Sequence, residues 1–229
     1  MSTLIIGNKP FKILQINDLL DSFLSCIRCN MGIPNTNNGT IKDQLAICSH
    51  IYQNFIQQKS PWSTVTEVYG DEYKKEYLEY FCNNFSQEEY NRVWYADASK
   101  VQDAYNSFLR SHQCPYRFTK QPRTGYVCMF ELLLTEVKPI IFGFSLTEET
   151  RKSYYVNNFV FEREDKNLSC HSKEDEVSIL RWLHNHEMID ATLCMLKDEA
   201  DPAIECNKLK PSDSMIELLE KTYGRLKIQ

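Results

Sequence analysis

Short apolar runs alternate with stretches of helical periodicity along most of the chain. Residues 3–7 (TLIIG) are expected as a first buried strand, ending at Asn8 and a Lys-Pro turn. Phe11, Leu14, Leu19 and Leu20 give a short helical pattern over 11–20. Phe23 to Cys29 reads as a second strand, and Asn30 to Thr40 as a polar loop rich in asparagine. Gln44 to Cys48 reads as a third strand running into a helix over 51–58, and Thr64 to Val68 as a fourth. From Asp71 to about His112 the pattern is mostly helical and dense in tyrosine and phenylalanine, with Ser86 and Glu89 at capping-box spacing. A helical subdomain packed by its own aromatics accounts for that density; the functional alternative has one or two of these rings bordering a cleft.

The stretch 122–145, PRTGYVCMFELLLTEVKPIIFGFS, organises the rest. Thr124 is placed to cap a helix in which Val127, Phe130, Leu133 and Leu134 recur at helical spacing. Pro139 ends it, because the residue before a proline avoids the α region. Ile140, Ile141 and Phe142 then form the fully apolar run that parallel strands use when both faces are covered. A polar segment over 147–158 leads to a strand at 159–162. Ser172, with Asp175 at capping-box spacing, opens a helix with the stripe Val177, Leu180 and Leu183. A last core strand over 188–196, a loop over 198–214 and an amphipathic helix from Met215 to Leu226 complete the chain. This alternation predicts one α/β domain over 1–229, with a largely parallel central sheet flanked by helices and a mainly helical, aromatic-rich insertion at about 71–120.

Composition narrows the function. With 229 residues, 42% of them hydrophobic, the chain can bury a sizeable core. A net charge of -5 argues against a broad nucleic-acid-binding face, so any phosphate recognition has to be local. The nine cysteines are scattered, several within apolar runs, which points to reduced thiols in a cytoplasmic compartment. Cys26 and Cys29 form a lone CxxC inside a strand, and zinc would need two further ligands, so no metal is expected. The N-terminus lacks the basic flank and long apolar stretch of a signal peptide, and no run approaches the roughly 20 apolar residues of a membrane span. The expectation is no transmembrane segment, with peripheral membrane association left open.

In parallel sheets ligands bind beyond the carboxyl ends of the strands. There the sequence places Asn8, Arg28 with Asn30, the group Arg123, Thr124 and Gly125, and Ser145. The amides near Thr124 and Gly125, at a helix start, suit an anion. Asparagine amides both donate and accept, which fits ribose hydroxyls and phosphate oxygens, although asparagine is equally a common turn residue. No glycine fingerprint surrounds Asn8 and no GxxxxGK occurs, which argues against an NAD enzyme or an NTPase. His171 directly precedes the helix cap in CHSKEDE, and Glu174, Asp175 and Glu176 stand behind it to keep it basic or orient it. An exposed loop histidine is the plainer alternative. His50 is a weaker candidate, and His112, His184 and His186 read as helix-surface or helix-end residues. Tyr154 and Tyr155, beside Arg151 and Lys152, can donate phenol hydroxyls to an anion, or belong to a solvated basic turn.

Taken together these segments resemble the sialyltransferase superfamily, both its vertebrate-type family and its bacterial family. LIIGN followed by FLSCIRCNMGIPN resembles the long sialylmotif, and PRTGYVCMFELLLTEVKPIIFGF the short one. His171 to Glu176 has the His-x-x-x-x-Glu spacing of the very short motif, and CHSK is similar to the bacterial Gly-His-Ser-Lys with Cys170 for glycine. The three matches occur in the family's order and cover about a third of the chain; 45–120 match nothing recognisable.

The resemblance implies a modified Rossmann-type glycosyltransferase fold and metal-independent, inverting transfer of sialic acid, or a related acid sugar such as Kdo, to a glycan acceptor. It implies no resident cofactor, the CMP-linked sugar being the donor substrate. On that footing Asn8 and Asn30 contact the CMP phosphate and ribose, and Thr124 and Gly125 bring a helix start to the nucleotide. His171 is then the general base, and Tyr154 or Tyr155 assists the departure of CMP. The chain departs from the family in having Ser153, not histidine, before Tyr154, and is expected to be shorter than typical members and to lack a membrane anchor. A catalytically lapsed nucleotide- or glycan-binding relative, and an unrelated nucleotide-binding α/β protein, are the rivals.

Overall fold

The computed structural model describes residues 3–7, 17–20, 22–23, 25–29, 44–47, 65–68, 94–96, 98–147, 153–156, 159–162, 171–197, 203–206 and 208–228, with several short strands described by backbone alone. Six strands form one sheet: β1 (Thr3–Ile6), β2 (Ser25–Cys29), β3 (Gln44–Ile47), β4 (Val65–Val68), β5 (Trp94–Ala96) and β6 (Ile140–Phe142). Their order is β5-β4-β3-β2-β1-β6, and every neighbouring pair is parallel. Parallel neighbours cannot be joined by tight turns, so each connection is a crossover. Between β1 and β2 lies the short helix α1 (Asn17–Leu20), which buries Leu19 and Leu20.

The chain steps outward from β1 to β5 and then returns. Helix α2 (Ala98–Ser111) follows β5, and α3 (Thr124–Leu134) lies across β1 to β4 before delivering the chain to β6, on the other side of β1. Because α3 crosses the covered face of the sheet, it is apolar nearly all round, burying every residue from Thr124 to Phe130 as well as Leu133. An aromatic row ties α2 to it. Tyr105 stacks on Phe130 with centroids 4.8 Å apart, and Phe118 meets both Phe130 and Tyr126 edge-on. The fully buried Tyr105 also donates to Glu131 Oε1 at 2.5 Å; burial pushes both the phenol and the carboxyl upward. Within the expected insertion, the rings of Tyr105, Phe108 and Phe118 are therefore packing against α3.

Helix α4 (Lys173–Asn185), helix α5 (Asp213–Tyr223), four short strands and a 3-10 turn follow among the described residues. β7 (Ser153–Val156) and β8 (Phe159–Glu162) form an antiparallel pair, where the sequence suggested a polar segment before a strand. β9 (Ala203–Ile204) and β10 (Lys227–Ile228) pair in parallel, the first within the expected loop. Two expectations fail outright. Trp94–Ala96 is an edge strand rather than helix. The last core strand over 188–196 is replaced by a single parallel bridge, Asp190 to Ile140, followed by a 3-10 turn over Thr192–Met195. Asp190 favours the turn: its carboxylate accepts the Thr192 N-H at 2.9 Å and coils the chain, which stays packed against β6 through Cys194 and Ile141 O. Among the described residues no helix is long and apolar enough to cross a membrane.

Candidate functional site

Leaving β1 the chain turns toward β2, whereas it comes back to β6 on the opposite side, so the carboxyl ends of β1 and β6 form the switch point of the sheet. Two glycines meet there. The Gly7 N-H donates to Phe142 O at 2.7 Å, and a Cβ on Gly7 would lie 2.6 Å from Gly143 O. A Cβ on Gly143 would lie 2.7 Å from Gly7 O, and its φ of 75° is one that side chains disfavour. The first turn of α3 arrives at the same place: a Cβ on Gly125 would stand 2.6 Å from the Phe144 ring and 3.4 Å from Cys29 Sγ. The ends of β1, β2 and β6 and the start of α3 are thus packed against one another, and all three glycines are required by that packing alone. Cys29 also meets the thiol of Cys128, one turn along α3, which this hydrogen bond and burial push well above its ordinary value.

The segment entering α3 is strapped to the first turn of α4 at alternate residues. Asp175 Oδ2 accepts from the Thr119 N-H at 2.8 Å and from its hydroxyl at 2.6 Å. His171 Nδ1 lies 2.7 Å from Gln121 O. Glu176 Oε1 accepts the Arg123 N-H at 2.9 Å, and its Oε2 pairs with the Arg123 guanidinium at 3.3 Å. The sequence placed the N-cap of α3 at Thr124; instead Thr124 is the first helical residue and Arg123 the cap position, without a side-chain cap. Glu176, brought from another helix, accepts the amide of that cap residue, the part a carboxylate at the third helical position plays in a capping box. Of Glu174, Asp175 and Glu176, expected to keep the histidine basic or orient it, Asp175 accepts from Thr119 and Glu176 holds Arg123, while the Gln121 carbonyl bonds the ring.

Two physical consequences follow. A carbonyl can only accept, so Nδ1 of His171 carries the proton and the lone pair of the neutral ring sits on Nε2. That is the tautomer a general base needs. Glu176 is the second: at 2% exposure, burial raises its pKa to about 7 although Arg123 pulls the other way. A carboxyl that burial pushes up toward neutrality therefore holds the start of α3 through Arg123. Glu176 is the residue whose role the sequence did not disclose, apart from its spacing from His171.

The other candidates divide. Arg28 is fully buried in β2, in register with Ile6 and Leu45, and so sits inside the fold, not at an open rim. Tyr154 and Tyr155 fall in β7, paired with Phe161 and Val160. Asn8, Asn30 and His50 lie outside the described residues, Asn8 and Asn30 immediately after Gly7 and Cys29. Ser145 donates to Thr147 O at 3.1 Å. Cys26 and Cys29, at an odd spacing in β2, fall on opposite faces of the strand, so they cannot share one ion. His184, read as a helix-surface or helix-end residue, lies in the last turn of α4 and is buried: its Nε2 donates to Lys210 O at 2.8 Å and its Nδ1 accepts the Ala191 N-H at 3.1 Å, which makes it structural. No protein-family model matches the chain, and no curated protein matches it.

Proposed function

We propose that the chain is a metal-independent, inverting glycosyltransferase of Rossmann-type fold that moves sialic acid, or a related acid sugar, from a CMP donor to a glycan hydroxyl. One observation carries the reading: His171 is hydrogen-bonded through Nδ1 to Gln121, in the segment that opens α3, so the base candidate and the helix start share one rim. These are also the positions of two of the three motifs that resemble the sialyltransferases.

The chemistry follows from that pairing. The acceptor hydroxyl attacks the anomeric carbon as the bond from that carbon to the phosphate oxygen breaks, and CMP leaves with the electron pair. Nε2 of His171 takes the hydroxyl proton. The phosphate leaves near Arg123 and the amide of Gly125, with Asn8 and Asn30 on the nucleotide and Tyr154 or Tyr155 donating to the departing oxygen. Donors aimed at the departing phosphate lower the barrier where charge develops. The test compares wild type and His171→Ala for CMP binding and for transfer from CMP-sialic acid. The expected result is retained CMP binding with transfer lowered at least a hundredfold. Full activity in the variant removes His171 from the mechanism, and CMP binding without release of sugar by the wild type assigns the lapsed relative instead.

A further inference from the structure

Helix α4 leaves the rim at His171 and runs along a cleft of about 560 Å³ that the site above does not use. Five of its lining residues, Val177, Ser178, Arg181, Trp182 and Asn185, recur at one-turn spacing on a single stripe of α4; Tyr116 and Thr147 come from the segments before α3 and after β6. The volume suits a small-molecule ligand of two or three rings.

The walls are fixed in place. Trp182 stacks on His186 with centroids 4.0 Å apart and planes 24° from parallel. Arg181 donates to Leu146 O at 3.3 Å, which ties α4 to the chain leaving β6. Tyr116 is 43% exposed, so its ring is open to the cleft. The remaining polar groups, Thr147, Ser178 and Asn185, are uncharged and can both donate and accept. No carboxylate lines the cleft among the described residues, and its one cation is held by a carbonyl.

We infer that this cleft binds a neutral saccharide. A sugar ring presents an apolar C-H face, drawn to the negative face of an aromatic ring, and an edge of hydroxyls that need partners of both kinds. Two aromatic rings with uncharged hydroxyls and an amide match both surfaces at once. A nucleotide fits less well, since among the described residues its phosphate would meet no second cation and no helix start here. By helical rise Ser178 lies about 9 Å along α4 from Ser172, within reach of a chain of two sugars extending toward His171. Resting on the proposed transferase reading, the cleft is then the place that holds the acceptor glycan.

The experiment is saturation-transfer NMR of the full chain with lactose and, separately, maltose, in the absence of CMP compounds. Wild type is expected to bind at least one of them with a millimolar or lower Kd. Trp182→Ala and Asn185→Ala are expected to weaken it at least tenfold. Asn185 is exposed, so its variant reports the cleft even if Trp182→Ala fails to fold. No binding of either sugar, or unchanged binding in a folded Asn185→Ala, overturns the inference. Sugar bound in the cleft with no transfer from CMP-sialic acid upholds it while removing the transferase reading. Transfer with an unaltered acceptor KM in both cleft variants does the reverse.

Discussion

The two helices that meet at the rim of the sheet begin in opposite ways. α4 carries its own cap: Ser172 Oγ accepts the Asp175 N-H at 3.3 Å, and acidic residues fill its first turn. α3 carries none, and its leading amide at Arg123 is satisfied by Glu176, 53 residues further along the chain. A cap that belongs to the helix depends only on local sequence. A borrowed cap depends on two elements having docked, so it reports the tertiary structure and can be used to control it. The difference makes the start of α3 the adjustable end of the site and the start of α4 the rigid one.

Three measurements sharpen or break this contrast, and the largest effect should come from pH. Burial raises Glu176 from its ordinary 4.5 to about 7, so the folded chain favours the protonated form. Its contribution to stability is complete below about pH 4.5, declines as the pH rises, and is lost above about 7, a change on the order of 3 kcal/mol. Urea denaturation of wild type between pH 4.5 and 8 should show this decline, and Glu176→Gln, which keeps an acceptor but cannot ionise, should flatten it. A slope unchanged in the variant would assign the titration to another group.

Next in size is Glu176→Ala, which leaves the Arg123 amide and guanidinium without their acceptor. With Arg123 partly exposed, a loss of about 2 kcal/mol is expected by denaturation at pH 6, and hydrogen exchange at the first turn of α3 should speed up. The smallest effect belongs to Ser172→Ala. Loss of a single long cap bond should cost about 0.5 to 1 kcal/mol and leave exchange at α3 untouched. Faster exchange at α3 in that variant would show that the two helix starts are not separable.

How much of this was legible in the sequence follows the range of each interaction. β1, β2 and β6 were readable because an apolar run bounded by polar turns has few other uses in an α/β chain. Ser172 was readable because a cap is local. Trp94–Ala96 was not, since three residues on a sheet edge carry no period and the surrounding composition favours helix. The apolar run over 188–196 could equally be a strand or a buried turn, and the Asp190 carboxylate favours the turn. In the candidate site His171 and Arg123 stood out by position. The role of Glu176 did not, because nothing near it in sequence is its partner.

The borrowed cap also bears on how the chain is made. Synthesis releases β1, β2, the whole of α3 and β6 before residue 176 leaves the ribosome, and domains begin to organise from the N-terminal side. Through that interval the leading turn of α3 lacks the carboxylate that closes on it in the finished fold. Only when α4 arrives does the rim acquire its final shape, so a truncated or stalled product would retain most of the sheet and still lack the site.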